Sequence, residues 1–287
     1  MVTMETWYVL SIVALLLLGT QRFLYKVAAE RKCITVQTTF FFMSTVTLLS
    51  TAAFFISNGT VETLSGLLIP SLFNSAAFLV STIAHIEALR FLAASIVYPL
   101  IRLDIVLVVL FSVFFFKDHL SIINLAGILM ALMVMIILAL EGRKKEKDSS
   151  SIRAGFVCIV LAVLGGAVAS ISSKFAALHT NTLAFMALSY LIAAISSLGL
   201  KKSVQPGSRP MRDSILVGLA MGLLNFGGFY AFLQALAYGP LSLIASITGM
   251  HFVIAIILSV ILYHERLTPG RASAIVLTIA SIIFLGK

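Results

Sequence analysis

Charged residues are scarce in this chain, and long apolar stretches take their place. Asp, Glu, Lys and Arg make up 11% of the 287 residues, and hydrophobic residues make up 60%. A soluble domain has about 25% charged residues. The apolar stretches run about 20 residues, rather than the roughly 10 of an alternating barrel strand, which indicates helical spans. The composition therefore excludes an ordinary soluble domain and predicts an integral, multi-pass membrane protein.

Cysteine is nearly absent as well, and no catalytic or metal-binding motif is complete. Cys33 and Cys158 form neither a disulfide framework nor a metal-binding cluster. His264-Glu265 begins like a zinc-protease motif, but Thr268 stands where a second histidine is required. The sequence also lacks a Gly-x-Ser-x-Gly elbow and a phosphate-binding loop. We therefore predict no enzyme, no metal site and no cofactor.

The apolar segments predict ten spans, which a polar linker divides five and five. They cover 7–26, 35–56, 66–89, 93–116, 121–140, 153–174, 181–200, 213–237, 241–263 and 269–286. The linker, Glu141–Ser151, is the most polar segment of the chain. Because five is odd, the two halves must enter the bilayer in opposite senses. The predicted fold is all-α, with ten transmembrane helices in two inverted five-helix repeats, residues 1–147 and 148–287.

The net charge of +9 comes from basic residues that lie mostly in short loops after odd-numbered spans. The positive-inside rule places those loops in the cytoplasm and both termini outside. This distribution explains the basic charge without nucleic acid, which we do not expect as a partner. The expected partners are the lipid bilayer and a small-molecule metabolite. The predicted location is the plasma (inner) membrane of a prokaryote, with the protein a monomer or a homodimer.

Two stretches of the chain, Glu87–Ser121 and Gln234–Thr268, align without a gap at an offset of 147 residues (234 − 87). Seven of the thirty-five columns are identical, and most others exchange one apolar residue for another. Both stretches end in an acidic-x-Leu turn, Phe-Lys-Asp-His-Leu at 116–120 and Tyr-His-Glu-Arg-Leu at 263–267. An internal repeat in a membrane protein is typical of a transporter whose site lies at the repeat interface.

The repeated endings resemble the Gly-Glu-x-Leu turn of the ten-span EamA-type branch of the drug/metabolite transporter superfamily. Lys117 and His264 stand where that turn has glycine. Lys-Val-Ala-Ala at 26–29 and Lys-Phe-Ala-Ala at 174–177 close the first span of each half, as in the family. The resemblance covers the whole chain and implies a transporter of small metabolites, often working outward. Family members usually have both termini in the cytoplasm, opposite to the charge count, so the orientation stays open.

One carboxylate and one histidine are predicted at the bilayer midplane. Asp104 lies at the centre of span four, and its repeat equivalent (104 + 147) is His251 in span nine. A midplane charge costs at least about 2.5–3.5 kcal/mol, so Asp104 should face protein or water. Inverted repeats bring such positions together near their shared axis. We expect the pair to line a central cavity and to relay or gate protons. The alternative is a buried ion pair that only fixes helix register.

Three more side chains are candidates for substrate binding. Arg102 suits a carboxylate or phosphate because of its guanidinium fork, although it can equally pair with Glu87 or Asp104. Asn225 and Tyr98 can hydrogen-bond a ligand or join two helices. The same two roles are open to four other neutral side chains, namely Asn74, Gln234, Tyr230 and Thr248.

Charges near the ends of the spans are expected to hold or gate the structure. Glu87 and Arg90 are three residues apart, so they can pair on one helix face. Lys26 and Lys174 are interpreted as interfacial anchors, with neutralisation of an anion as the alternative. Arg22 lies deeper in the first span and is harder to explain as an anchor.

These observations predict a secondary active transporter, an exporter, of a small polar metabolite such as an amino acid. It would work by alternating access, with a midplane site between the two repeats and protons as the candidate coupling ion. The alternative is a non-transporting membrane sensor or assembly protein of the same fold.

Overall fold

The computed structural model describes residues 4–61, 63–92, 94–142, 149–199, 211–264 and 268–286. Within these ranges every element is helical, and a π-helical turn, Ser112–Phe116, continues α5. The linker residues 143–148 and the second repeated ending, 265–267, lie outside the described residues. The α-helices are α1 (Met4–Glu30), α2 (Thr35–Ile56), α3 (Leu64–Phe91), α4 (Ala94–Ile101), α5 (Asp104–Phe111), α6 (Ile122–Gly142), α7 (Ser149–His179), α8 (Thr182–Leu198), α9 (Met211–Tyr238), α10 (Leu241–Gly249), α11 (Phe252–Tyr263) and α12 (Pro269–Leu285).

The helices present a large apolar surface to the outside, as a membrane protein requires. Ile122 is 88% exposed and Phe114 81% exposed, and many other large apolar side chains face outward with them. Six helical segments in the described part are long and apolar enough to cross a membrane: Thr6–Glu30, Thr35–Ile56, Leu64–Phe91, Arg153–His179, Met211–Tyr238 and Leu241–Tyr263. Shorter apolar helices accompany them, so the protein is an integral, multi-pass membrane protein. The count of ten spans stays a prediction.

Spans four and nine, expected as continuous helices, are each broken near the middle. The first consists of α4, α5 and the π-helical turn, and the second of α10 and α11. At the first break the amide of Leu103 donates to Leu100 O at 3.1 Å, and at the second the amide of Met250 donates to Ile247 O at 3.1 Å. The two bonds are 147 residues apart (250 − 103), so both breaks have the same tightened turn. Hydropathy does not reveal them because apolar residues continue on both sides.

The two broken spans also end alike, in a left-handed residue that is not glycine. Lys117 has φ 54° and His264 has φ 50°, again 147 residues apart (264 − 117). Helices often end in this conformation because it turns the chain away, and glycine adopts it without the clash of a Cβ atom. This geometry explains the glycine of the turn that the sequence resembles. In this chain Lys117 and His264 form the same turn, with the backbone strain that a Cβ atom causes in the left-handed conformation.

Contacts between helices have equivalents between the corresponding helices of the other half. The pair α3 and α7 matches the pair α1 and α9, the pair α2 and α9 matches α3 and α8, and the pair α5 and α10 matches α4 and α11. Helices α2 and α8, and likewise α6 and α12, contact their own counterparts. Glycines permit the close approach that such contacts need in lipid. A Cβ on Gly165 of α7 would lie 2.6 Å from Ala77 O of α3. The broken helices are therefore packed against α1, α7 and α9 rather than against lipid alone.

Lys117→Gly should raise the free energy of unfolding by about 0.5–1 kcal/mol. A left-handed conformation costs a residue with a Cβ atom roughly 1–2 kcal/mol, and the greater backbone entropy of glycine offsets roughly 0.5–1 kcal/mol of that gain. Lys117 is exposed, so the substitution removes no buried contact. Thermal unfolding of the purified protein in detergent measures the effect. Lys117→Ala is the matched control, since it removes the same side chain but keeps the Cβ atom. Equal stability of the glycine and alanine variants would contradict the account.

Candidate functional site

A polar cavity of about 80 Å³ lies where the two helix breaks meet. The breaks touch each other directly, since a Cβ atom on Gly249 at the end of α10 would overlap the side chain of Ile105 in α5. Helices α1, α3, α7 and α9 supply the rest of the wall. Its polar side chains are Arg22, Asn74, Ser81, Arg102, Asp104, Ser170, Ser173, Asn225, Thr248 and His251. The cavity thus brings together Asp104, His251, Arg102 and Asn225, four of the predicted binding residues.

Arg102 and Asp104 form a buried ion pair in this cavity. Nη1 of Arg102 lies 3.5 Å from Oδ2 of Asp104, and the two side chains are 9% and 6% exposed. In a continuous helix they would point about 200° apart, but the break lies between them and redirects both inward. Gly166 makes room, because a Cβ there would lie 2.5 Å from Oδ2 of Asp104. The other carboxylate oxygen, Oδ1, is buried and has no hydrogen-bond partner.

His251 lies at the second break, and its ring is tied to its own helix. Nδ1 lies 2.5 Å from the carbonyl oxygen of Thr248. A hydrogen bond to a carbonyl oxygen requires the proton on Nδ1, so Nε2 is left as the acceptor. Gly19 of α1 packs against this turn, where a Cβ would lie 2.8 Å from His251 O.

Asp104 and His251 line the same cavity, but the direct pairing that the sequence suggested is not formed. The ion-pair partner of Asp104 is Arg102, and no hydrogen bond or ion pair joins Asp104 to His251 in the described ranges. The break explains the difference, since it brings a nearer opposite charge from the same span to the carboxylate. Arg102 therefore has the internal partner that was the alternative to its role as an anchor. A role of the two residues in proton movement stays a prediction.

Arg22 is the second guanidinium on the cavity wall. Its Cζ lies 4.8 Å from the centroid of the Tyr25 ring, a cation–π contact. Its Nε is buried without a hydrogen-bond partner. Across the part of the chain that the structure describes, no carboxylate forms a salt bridge with it. Depth in the first span was the only sequence signal for this residue.

Asn225 and Tyr98, the two neutral candidates, differ in position. Asn225 lines the cavity, and its Oδ1 accepts a 2.5 Å hydrogen bond from the hydroxyl of Tyr190. Tyr98 is not among the residues that line the cavity. Its hydroxyl donates to the carbonyl oxygen of Arg22 at 2.9 Å, and its ring packs edge-on against His85. Tyr98 joins α4 to α1, which is the helix-joining alternative for this residue.

The other neutral candidates divide in the same way. Asn74 and Thr248 line the cavity. The amide nitrogen of Asn74 also donates to Ala169 O at 3.0 Å, which joins α3 to α7. Gln234 instead donates to the Thr182 hydroxyl at 3.2 Å, away from the cavity, and Tyr230 is exposed.

An ion pair near one end of the bundle joins α3 to the start of α2. Nη1 of Arg90 lies 3.5 Å from Oε1 of Glu87, on the same helix. Oε1 of Glu87 also accepts a 2.5 Å hydrogen bond from the Thr35 hydroxyl, and Arg90 donates to the carbonyl oxygen of Cys33. Burial, together with nearby Asp213, raises the pKa of the Cys33 thiol in this loop. The thiol is therefore a poor nucleophile at neutral pH.

At the opposite end, Asp118 ties the end of the first broken span to the start of α10. Its Oδ2 accepts hydrogen bonds from the backbone amide and the hydroxyl of Ser242, at 2.9 and 2.7 Å, and from the Ser112 hydroxyl at 2.5 Å. The carboxylate satisfies a free amide at a helix N-terminus and suits its positive end. The sequence marked Asp118 only as part of the repeated turn, because its partner is distant in the chain.

The two repeat-equivalent lysines make different contacts. Lys174 donates to the carbonyl oxygens of Leu236 and Gly239, at 2.7 and 2.9 Å, at the end of α9. Lys26 donates to the Ser259 hydroxyl at 3.2 Å. Both lysines are buried, at 6% and 8% exposure. Lys26 therefore bridges the two halves and Lys174 joins α7 to the end of α9 within the second half, whereas interfacial anchors would reach out to the membrane interface.

The cavity also has an aromatic wall that the sequence did not single out. Phe78 and Phe229 both line it, with ring centroids 6.3 Å apart and an angle of 20° between the planes. Phe78 is the repeat equivalent of Asn225 (225 − 147). Applying the repeat offset to each polar candidate would have found it.

A larger cavity of about 620 Å³ lies between α3 and α7, next to Phe111. Its walls are mostly apolar, and its polar side chains are Ser65, Ser172 and His179. A polar metabolite needs convergent polar groups, so this cavity is not the candidate site.

Comparison with known proteins shows the fold and finds a family match over the second half of the chain. Residues 153–287 match the EamA-like transporter family. A protein of known crystal structure superposes with a TM-score of 0.75 at 18% sequence identity, covering 98% of this chain and 96% of that one. At this identity the likeness shows a shared fold alone. No curated protein matches the chain by sequence.

Asp104→Leu should destabilise the protein by about 3–5 kcal/mol, because it leaves Arg102 buried without its opposite charge. Adding Arg102→Met removes the second charge, so the double variant should recover most of the loss. Thermal unfolding of the purified variants measures both effects. A double variant no more stable than Asp104→Leu would show that the two residues are not coupled.

Proposed function

We propose that the chain, whose residues 153–287 match the EamA-like transporter family, is a membrane transporter of the drug/metabolite type. It is a secondary active exporter of a small polar metabolite such as an amino acid. Substrate binds at the midplane, in the cavity between the two helix breaks. The halves before and after residue 147 rock about this site as inverted repeats, so that it opens to one side of the membrane at a time.

The observation that carries the proposal is the meeting of two broken helices at a buried polar cavity. Both breaks have the same turn at a constant offset of 147 residues, counted from Leu103 to Met250. Discontinuous helices in corresponding positions of two repeats form the substrate and ion sites of many secondary transporters. Non-helical backbone at membrane depth is tolerated where it is buried in protein or lines a cavity. A scaffold or sensor has no such need for paired breaks and midplane charges.

Equivalent serine side chains in the two halves have different described hydrogen-bond partners, which supports alternating access. Ser112 and Ser259 occupy identical columns of the repeat (259 − 112 = 147). Ser112 donates to Asp118, whereas Ser259 accepts from Lys26. The described partners of the two serines therefore differ, while Glu265, the counterpart of Asp118, lies outside the described residues. Alternating access needs such a difference, because the two halves exchange conformations as the site changes sides.

The size of the cavity supports a conformational change on binding. Ligand sites usually measure about 300–1,000 Å³, and this cavity has about 80 Å³. An amino acid needs a wider site than that, so helices must separate around Gly249 and Gly166, where contact is tightest. The transporter therefore closes around its site in this conformation and widens when substrate enters.

Flux into liposomes tests the transport activity. We expect the purified protein to move at least one member of a panel of labelled amino acids and small organic acids faster than protein-free liposomes do. The double variant Arg102→Met/Asp104→Leu is the matched control, since it keeps the pair neutral, and its flux should fall about tenfold or more. If no labelled solute moves faster than in empty liposomes, the sensor or assembly role becomes the better account.

The same liposome assay tests proton coupling separately. A pH gradient should change the flux of the wild type but not of Asp104→Asn, which cannot release a proton. An identical response of the two proteins would remove protons from the mechanism and leave the transport proposal standing.

Breaking the Asp118 contact should open the cavity towards the end of the bundle that carries the 117–121 turn. Asp118→Ala removes the acceptor for Ser242, whereas Asp118→Asn keeps an oxygen that can accept. Membrane-impermeant maleimide labelling of Ser170→Cys, in a Cys33→Ser/Cys158→Ala background, reports access to the cavity. We expect faster labelling from that side in the alanine variant and much less change in the asparagine variant. Equal labelling of all three proteins would show that Asp118 does not hold this end closed.

A further inference from the structure

We infer from the charges around the cavity that the transported metabolite bears net negative charge and that its acidic group binds Arg22. This inference rests on the proposed function, because it names the substrate class of that site. It follows from the partners of each charged group, which leave one guanidinium without an opposite charge.

The residues that line the cavity carry an excess of positive charge. Arg22 and Arg102 are the cations and Asp104 is the anion among them. Any proton gained by His251 would only add to this excess. A buried charge without a partner is costly, and a bound ion of opposite sign removes the cost. The site is thus better matched to an anion than to a neutral or cationic solute.

The unbalanced positive charge lies on Arg22, because Arg102 already pairs with Asp104. The other carboxylates whose contacts are described are engaged elsewhere. Glu30 lies 3.6 Å from Lys26, Glu87 pairs with Arg90, and Asp118 accepts from Ser242. What Arg22 has is the face of the Tyr25 ring, and its buried Nε remains without a hydrogen-bond partner.

The side-chain amide of Asn225 is a second hydrogen-bond donor on the cavity wall. The hydroxyl of Tyr190 donates to Oδ1 of Asn225, so the amide nitrogen of Asn225 remains as a donor. Helix α1, which carries Arg22, packs along α9, which carries Asn225. A guanidinium fork and an amide on adjacent helices suit a planar carboxylate, which takes two parallel hydrogen bonds from the fork.

The charges are not a feature that both halves share. Aligning Lys26 with Lys174 makes Ser170 the equivalent of Arg22, and the offset of 147 makes Gly249 the equivalent of Arg102. Both equivalents also line the cavity. The same places on the wall are therefore filled by small residues in the second half, so packing alone does not require the guanidinium groups.

A zwitterion is the competing occupant, because Oδ1 of Asp104 is free to accept from an ammonium group. A zwitterion leaves the positive excess unchanged, however, whereas an anion neutralises it. The charge balance therefore favours a substrate with at least one more acidic than basic group, such as a small organic acid.

Three-carbon ligands of similar size but different charge test the inference on the purified protein in detergent. The probes are L-lactate, L-alanine, L-alaninol and glycerol, at matched ionic strength, with acetate as a smaller carboxylate. A ligand that binds the folded state raises the Tm with its concentration. We expect the carboxylate anions to raise the Tm of the wild type more than the zwitterion, the cation or glycerol. A shift from alanine or alaninol as large as that from lactate, or no shift from any anion, would overturn the inference.

Two variants of Arg22 test whether the carboxylate anion binds at this residue. Arg22→Gln should lower the apparent affinity for lactate about tenfold or more, the scale expected for a lost charge-assisted hydrogen bond. It should also melt no lower than the wild type without ligand, since it removes a half-buried charge that has no ion-pair partner among the described residues. Arg22→Lys keeps the charge and should retain most of the lactate shift. A lactate shift that survives unchanged in Arg22→Gln would place the anion elsewhere and overturn the assignment.

Failure of the inference can be told apart from failure of the proposed function. Lactate binding that depends on Arg22, without flux of any solute in liposomes, keeps the anion site and removes transport. Flux of a neutral or cationic solute, without anion binding, keeps transport and overturns the anion site.

Discussion

A helix break at membrane depth must have its freed backbone groups satisfied by protein, because lipid offers no hydrogen bonds. This constraint accounts for the arrangement around the cavity. Two breaks, one per half, lie against each other through Gly249 and Ile105. Helices α1, α7 and α9 pack around them. Each break tightens into short-range hydrogen bonds of its own. The polar centre of the protein is thus a consequence of where the two spans are interrupted.

The interruption also changes what the charged side chains can do. Arg102 and Asp104 are close enough in sequence to pair and would point apart on a regular helix. The break lets them meet at 3.5 Å. That pairing leaves Arg22 as the guanidinium whose opposite charge has to come from outside the cavity wall. A buried ion pair by itself adds little net stability, so the retention of three charges here is better explained by function than by folding.

The two halves keep corresponding residues but not corresponding contacts. Ser112 and Ser259 are aligned, and so are Lys174 and Lys26. Near one end of the bundle Asp118 holds α10, and Lys174 holds the end of α9. Near the other end Lys26 reaches across to Ser259 instead. Among the described contacts, these corresponding side chains therefore have different partners in the two halves.

Hydropathy and the repeat offset were enough to predict an all-helical membrane protein, the boundaries of most helices, and the gathering of Asp104, His251, Arg102 and Asn225 at one place. These features depend on local composition and on a spacing of 147 residues, both of which a sequence displays directly. The breaks, the partner of Asp104 and the unpaired state of Arg22 were decided by tertiary structure. Each depends on which groups the tertiary fold brings within bonding distance, and local composition contains no record of that.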